Sequence, residues 1–104
     1  MRRQFDVVAN PDTADIAHRP FLVILQSDLA SGLRSSVVAP LVAREQLSGA
    51  QRLNPIFTID GAEYWLATHE LFAIEQRMLK DRVASLADQH DAIMAALDFI
   101  FTGV

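Results

Sequence analysis

Three histidines and thirteen carboxylates, with no cysteine, are the raw material for chemistry in this 104-residue chain. The missing cysteines remove disulfides, thiolate nucleophiles and most structural zinc sites. His18, His69 and His90 are spread along the chain with no local partner pattern. His69-Glu70 opens like the H-E-x-x-H zinc motif, but Ala73 stands where the second histidine belongs. Ser27-Asp28 has the types of a nucleophile and its neighbour, yet the same pair is ordinary turn chemistry, with side chains bonding backbone. Asp88 and Asp91 read as helix-start electrostatics rather than a catalytic pair. No G-x-x-x-x-G-K-S/T loop is present to cradle phosphate, and no G-x-S-x-G elbow. The residues give an enzyme no positive support, and no cofactor or metal is expected.

Charge narrows the partners. Nine basic against thirteen acidic residues leave a net charge of −4, and such a chain is repelled by phosphate unless its basic groups cluster. Arg2-Arg3 and Arg77/Lys80/Arg82 are the only concentrations, and both are small. Direct nucleic-acid binding by this chain alone is disfavoured. No apolar run approaches the roughly 18 residues of a membrane span, and "MRRQFDVVANPD" lacks a signal peptide's apolar core. A cytoplasmic protein without a membrane partner is expected, forming one domain over residues 1–104.

The elements that must position any site follow from pattern. "QFDVVA" (4–9) reads as a strand and "NPDTAD" as a turn. "PFLVILQSD" (20–28) is nearly continuous in large apolar residues, as expected of a central buried strand. "LASGLRS" is a loop in which Leu29 is expected to be exposed. "SVVAPLV" (36–42) is apolar again, with Pro40 expected to end or interrupt its ladder. "AREQLSGAQRLNP" reads as loop with at most one helical turn. In "PIFTIDGAEYWLAT", β-rich runs at 56–59 and 63–67 flank Asp60-Gly61, a pair suited to a type I′ hairpin turn. Tyr64 and Trp65 fall on opposite faces, one in the core and one partly covering the surface. "HELFAIEQRML" suits either a strand or a short helix.

Leu79, Val83, Leu86, His90, Ile93, Leu97 and Ile100 alternate spacings of four and three, one apolar stripe on a helix. The helix is expected over 88–102, with 79–86 as a lead-in, Asp88 as cap and Gly103 at its end. The whole is an α+β, mainly β arrangement of antiparallel strands followed by one helix. The closing "FIFTGV" then stands out. Ile100 and Phe101 extend the apolar face past the point where a core of this size needs covering, so the tail is either packed away or presented to a partner.

In order along the chain, "QFDVV", "FLVILQSDL" (21–29), "VVAPLV" (37–42), "PIFTIDGAEYWLATHEL" (55–71) and "RVASLADQHDAIMAALDFIFTGV" (82–104) resemble the CcdB family of toxins from type II toxin–antitoxin modules. The resemblance covers nearly the whole chain. It implies an SH3-like barrel of antiparallel strands with an extra small sheet and one long C-terminal helix, assembled as a homodimer. It also implies a function without catalysis: binding the A subunit of DNA gyrase and trapping its cleaved-DNA complex. A CcdA-like antitoxin neutralises such toxins by ordering on their surface, and the pair represses its own operon, with the antitoxin supplying the DNA contacts. In the family the gyrase contact lies in a closing Trp-Gly-Ile and a polar helix residue upstream. By position these are Thr102, Gly103, Val104 and Asp98, so Thr102 replaces the family's Trp, whose ring stacks on a gyrase arginine. The alternatives are an aromatic contact shifted to Phe101 or Phe99, another target, or a non-poisoning homologue that keeps dimerisation and antitoxin binding. The dimer seam is placed at Phe5, Ile100 and Phe101.

Overall fold

A computed structural model describes residues 2–30 and 32–103. Seven strands and one helix follow in order: β1 (Asp6–Ala9), β2 (Phe21–Ile24), β3 (Ser35–Ala43), β4 (Ile56–Ile59), β5 (Ala62–Leu66), β6 (Phe72–Glu75), β7 (Arg82–Ser85) and α1 (His90–Thr102). The strands form one curled antiparallel sheet in the order β4-β5-β3-β2-β1-β7, with β6 also paired to β3. The fold is α+β and mainly β, as expected, a half-barrel carrying one C-terminal helix.

β3 is the hinge of this architecture. Its first half pairs with β6 (Val38 opposite Phe72) and its second half with β5 (Leu41 opposite Leu66), while β2 runs along its other edge. The expected small sheet is thus the β4–β5 hairpin joined to the end of β3. Pro40 neither ends nor interrupts the strand, contrary to expectation, and pairs in register with Leu22. The reason is directional. Its carbonyl accepts the Ala67 N–H at 2.9 Å, so the missing Pro N–H also faces the β5/β6 side, at the handover between those two partners. The β2 ladder loses nothing.

Period-two alternation divides the apolar residues between two layers. Val7, Val23, Ala39 and Leu41 join Phe57, Ile59, Leu66 and Ile93 in the core beneath α1. Val8, Leu22, Ile24 and Val38 form a second cluster with Leu79. β2 is therefore buried on both faces, which is what its unbroken apolar run requires. Burying each such large side chain contributes roughly 1.5–3 kcal/mol. At the hairpin, Asp60 and Gly61 have φ of 51° and 81°, the positive pair that a type I′ turn needs. Trp65 is buried with its Nε1–H donating to the Arg44 carbonyl at 2.9 Å, while Tyr64, on the other face, meets Phe21 edge-on at 5.5 Å.

Three expectations near the helix need correction. The lead-in at 79–86 is not helical: Arg82–Ser85 pairs with β1, Val7 opposite Ala84. Pairing an otherwise open sheet edge outweighed a helical spacing that leaves Val83 exposed. Asp88 does not cap the helix either. It lies in a short 3-10 turn, Ala87–Gln89, Gln89 occupies the cap position without a side-chain bond, and Asp91 stands in the first turn. His90 is exposed rather than packed in the stripe, its ring edge-on to Phe5 at 5.5 Å.

Candidate functional site

Only Ile93 and Ala96 are fully buried on α1. At 100° per residue, Asp98 and Thr102 lie about 120–180° around the helix from Ile93, Ala96 and Ile100, on the face turned away from the core. Both are exposed. The Thr102 hydroxyl donates to the Asp98 carbonyl at 2.6 Å, an internal tie across one turn. Ile100 is half-buried on the core side, and Phe101, next to the outward face, is 70% exposed. Gly103 ends the helix at φ 76°, its N–H bonded to the Phe99 carbonyl at 2.9 Å. That left-handed conformation is open to glycine at no steric cost. Val104 lies outside the described residues.

The structure thus brings Asp98, Thr102, Gly103 and Phe101 together at one end of α1. Phe5 is elsewhere in character. It is 3% exposed and filled by its own chain, so it has almost no surface left to offer a seam. Its φ of 67° is rare for a bulky residue, and is held by N–H donation to the Ile24 carbonyl and acceptance from the Leu86 N–H.

One contact at this site has no sequence signal. The Arg52 guanidinium, from the loop before β4, stands 4.7 Å from the centre of the Phe99 ring. Nothing in the spacing of "AQRLNP" and "LDFIF" relates the two residues. Phe99 is accordingly half-buried with a face occupied, while Phe101 remains open.

The histidines are absorbed into structural bonds. His18 Nδ1 lies 2.6 Å from Gln46 Oε1, and His69 Nδ1 lies 3.2 Å from the buried Asn54 amide. Glu70 instead receives Arg19 at 2.9 Å, and Arg19 also donates to Asp15 at 2.8 Å, tying the β1–β2 loop to the turn after β5. The Arg19 hydrogen bond holds the Glu70 carboxyl below its ordinary value against the opposing cost of burial. Among the described residues no group of three or more His, Asp or Glu could hold a metal ion. Ser27 serves its turn, accepting the Leu29 N–H at 3.1 Å, and leaves Leu29 fully exposed at the loop tip. The basic concentrations are opposed by carboxylates: Arg3 by Asp28, Arg77 by Glu75 and Arg82 by Asp6. No helix among the described residues is long and apolar enough to cross a membrane.

Fold and site together define a small curled-sheet protein that presents the last turn of its helix outward. A family model described as CcdB protein matches residues 4–103, so the chain belongs to the CcdB family. That family is one of toxins from toxin–antitoxin modules. Among curated proteins no match to the chain is found.

Proposed function

We propose that this chain is the toxin of a type II toxin–antitoxin module that binds the A subunit of DNA gyrase and traps its cleaved-DNA complex. The observation that carries the proposal is the outward turn itself. Asp98 and Thr102 stand exposed on the face of α1 opposite the core, and the exposed Gly103 caps the helix beside them, at the positions where the family makes its target contact. Val104 completes that contact. The mechanism is recognition: the exposed Asp98 carboxylate and the backbone of the left-handed cap at Gly103 offer polar groups to the target.

The active form is a homodimer. Ile100 and the exposed ring of Phe101 supply the apolar seam, and a two-fold axis brings two such turns side by side. A CcdA-like antitoxin neutralises the toxin and joins it in repressing their operon. The chain's net charge of −4 supports leaving the DNA contacts to the antitoxin. A supercoiling assay with purified gyrase tests the central step. Inhibition at micromolar toxin is expected, and none, with a folded dimer verified, refutes gyrase as the target.

Thr102 supports a second reading. Its hydroxyl is spent on Asp98 and it has no ring, so a non-poisoning homologue that keeps dimerisation and antitoxin binding fits the same surface. Expression in cells lacking the antitoxin separates the two, since only the poisoning form arrests growth.

A further inference from the structure

We propose that Arg52 is a positioning residue that orders the presented turn through Phe99; this rests on that turn being the target contact. Beyond Ala96 no residue of α1 is fully buried, and a loosely packed helix end frays readily. Leu97 packs partly against the core and Ile100 is half-buried, and the cation–π contact at 4.7 Å adds a tie from the last turn to the loop before β4. Both of its ends are well founded.

On one side, Asn54 is buried and bonded four ways. Its N–H donates to the Ala50 carbonyl at 2.7 Å, and its side-chain oxygen accepts the Ala50 N–H at 3.3 Å. Its amide nitrogen donates to the Leu66 carbonyl at 3.0 Å and lies 3.2 Å from His69 Nδ1. Arg52, two residues earlier, therefore projects from a fixed base, and among the described residues no carboxylate lies within ion-pair distance to draw it off. On the other side, Phe99 carries the carbonyl that accepts the Gly103 N–H. Holding the Phe99 ring steadies the bond that closes the helix at Gly103.

The test compares wild type with Arg52→Ala, Arg52→Lys, Phe99→Leu and the double variant Arg52→Ala/Phe99→Leu. It reads amide hydrogen exchange at residues 99–103, the toxin concentration that half-inhibits supercoiling, and thermal unfolding. Arg52→Ala is expected to speed exchange at Gly103 and raise the half-inhibiting concentration about two- to fivefold, the range of an exposed cation–π contact. Its unfolding temperature should fall by only about 2–5 °C, the shift that losing one such contact brings in a domain of this size. Arg52→Lys, which keeps the cation, should recover most of the loss. In the Phe99→Leu background, removing Arg52 should change nothing more.

Unchanged Gly103 exchange in Arg52→Ala overturns the proposal, as does an Arg52→Ala effect that persists undiminished in Phe99→Leu. A wild-type protein that fails to inhibit refutes gyrase binding instead. The exchange measurement then decides the positioning role by itself, acceleration supporting it and no change overturning it.

Discussion

Thr102→Trp should convert a weak contact into a strong one. The site has room for the ring: Thr102 is exposed and faces away from the core, and the substitution gives up only a solvent-exposed hydroxyl bond to Asp98. A tryptophan buries roughly 150–250 Å² when enclosed. Half of that, at about 25 cal/mol per Å², contributes roughly 2–3 kcal/mol. A partly desolvated arginine partner adds about 1 kcal/mol or more, and fixing the side chain costs about as much again. The balance of roughly 2–3 kcal/mol corresponds to about 30- to 150-fold tighter binding. Calorimetric titration against the gyrase A subunit reads it directly, with Ala92→Trp, exposed on the same helix, as the control for a ring placed elsewhere. Unfolding should be unaffected, since Thr and Trp have similar helix propensities. A gain below about threefold in a folded Thr102→Trp protein, or an equal gain in Ala92→Trp, refutes the placement of Thr102 at the contact.

Other outcomes follow from the packing. Gly49→Ala should destabilise by about 1–3 kcal/mol in chemical denaturation, because a Cβ there would stand 2.6 Å from the Trp65 ring, which its bond to Arg44 keeps from moving aside. Phe101→Ala should weaken self-association, read as a shift toward monomer in sedimentation velocity at micromolar concentration, while leaving the unfolding of the monomer nearly unchanged because the ring is 70% exposed. Stability should also carry a Glu70 contribution. Its folded-state carboxyl is lowered by Arg19 from a reference near 4.5, so this stability is present above that value and lost as pH falls below it. Glu70 is a third exposed, which limits the effect to under about 1 kcal/mol. Urea midpoints between pH 7 and 3 should show it in wild type and not in Glu70→Gln.

What was legible in the sequence had a local cause. The Asp60-Gly61 turn, the doubly buried run at Phe21–Ile24 and the Gly103 helix stop each follow from the conformational or burial needs of adjacent residues. What failed was decided at long range. Arg82–Ser85 became a strand because β1 needed a partner, although its own spacing suited a helix. Pro40 stayed in its ladder because of which edge its missing donor faced, a matter of register that no local pattern contains. At the site, the exposure of Asp98 and Thr102 follows from helical spacing once Ile93 and Ala96 are known to be the buried side. The division of labour between Phe99 and Phe101 does not, because it depends on an arginine 47 positions away in sequence.

The measurement that bears most directly on the whole account is gyrase supercoiling with the purified protein, set beside the same protein lacking Gly103 and Val104. Inhibition by the intact chain and its loss on truncation, with dimerisation and unfolding unchanged, are expected. Equal inhibition by both proteins would place the contact elsewhere, and inhibition by neither would remove gyrase as the target.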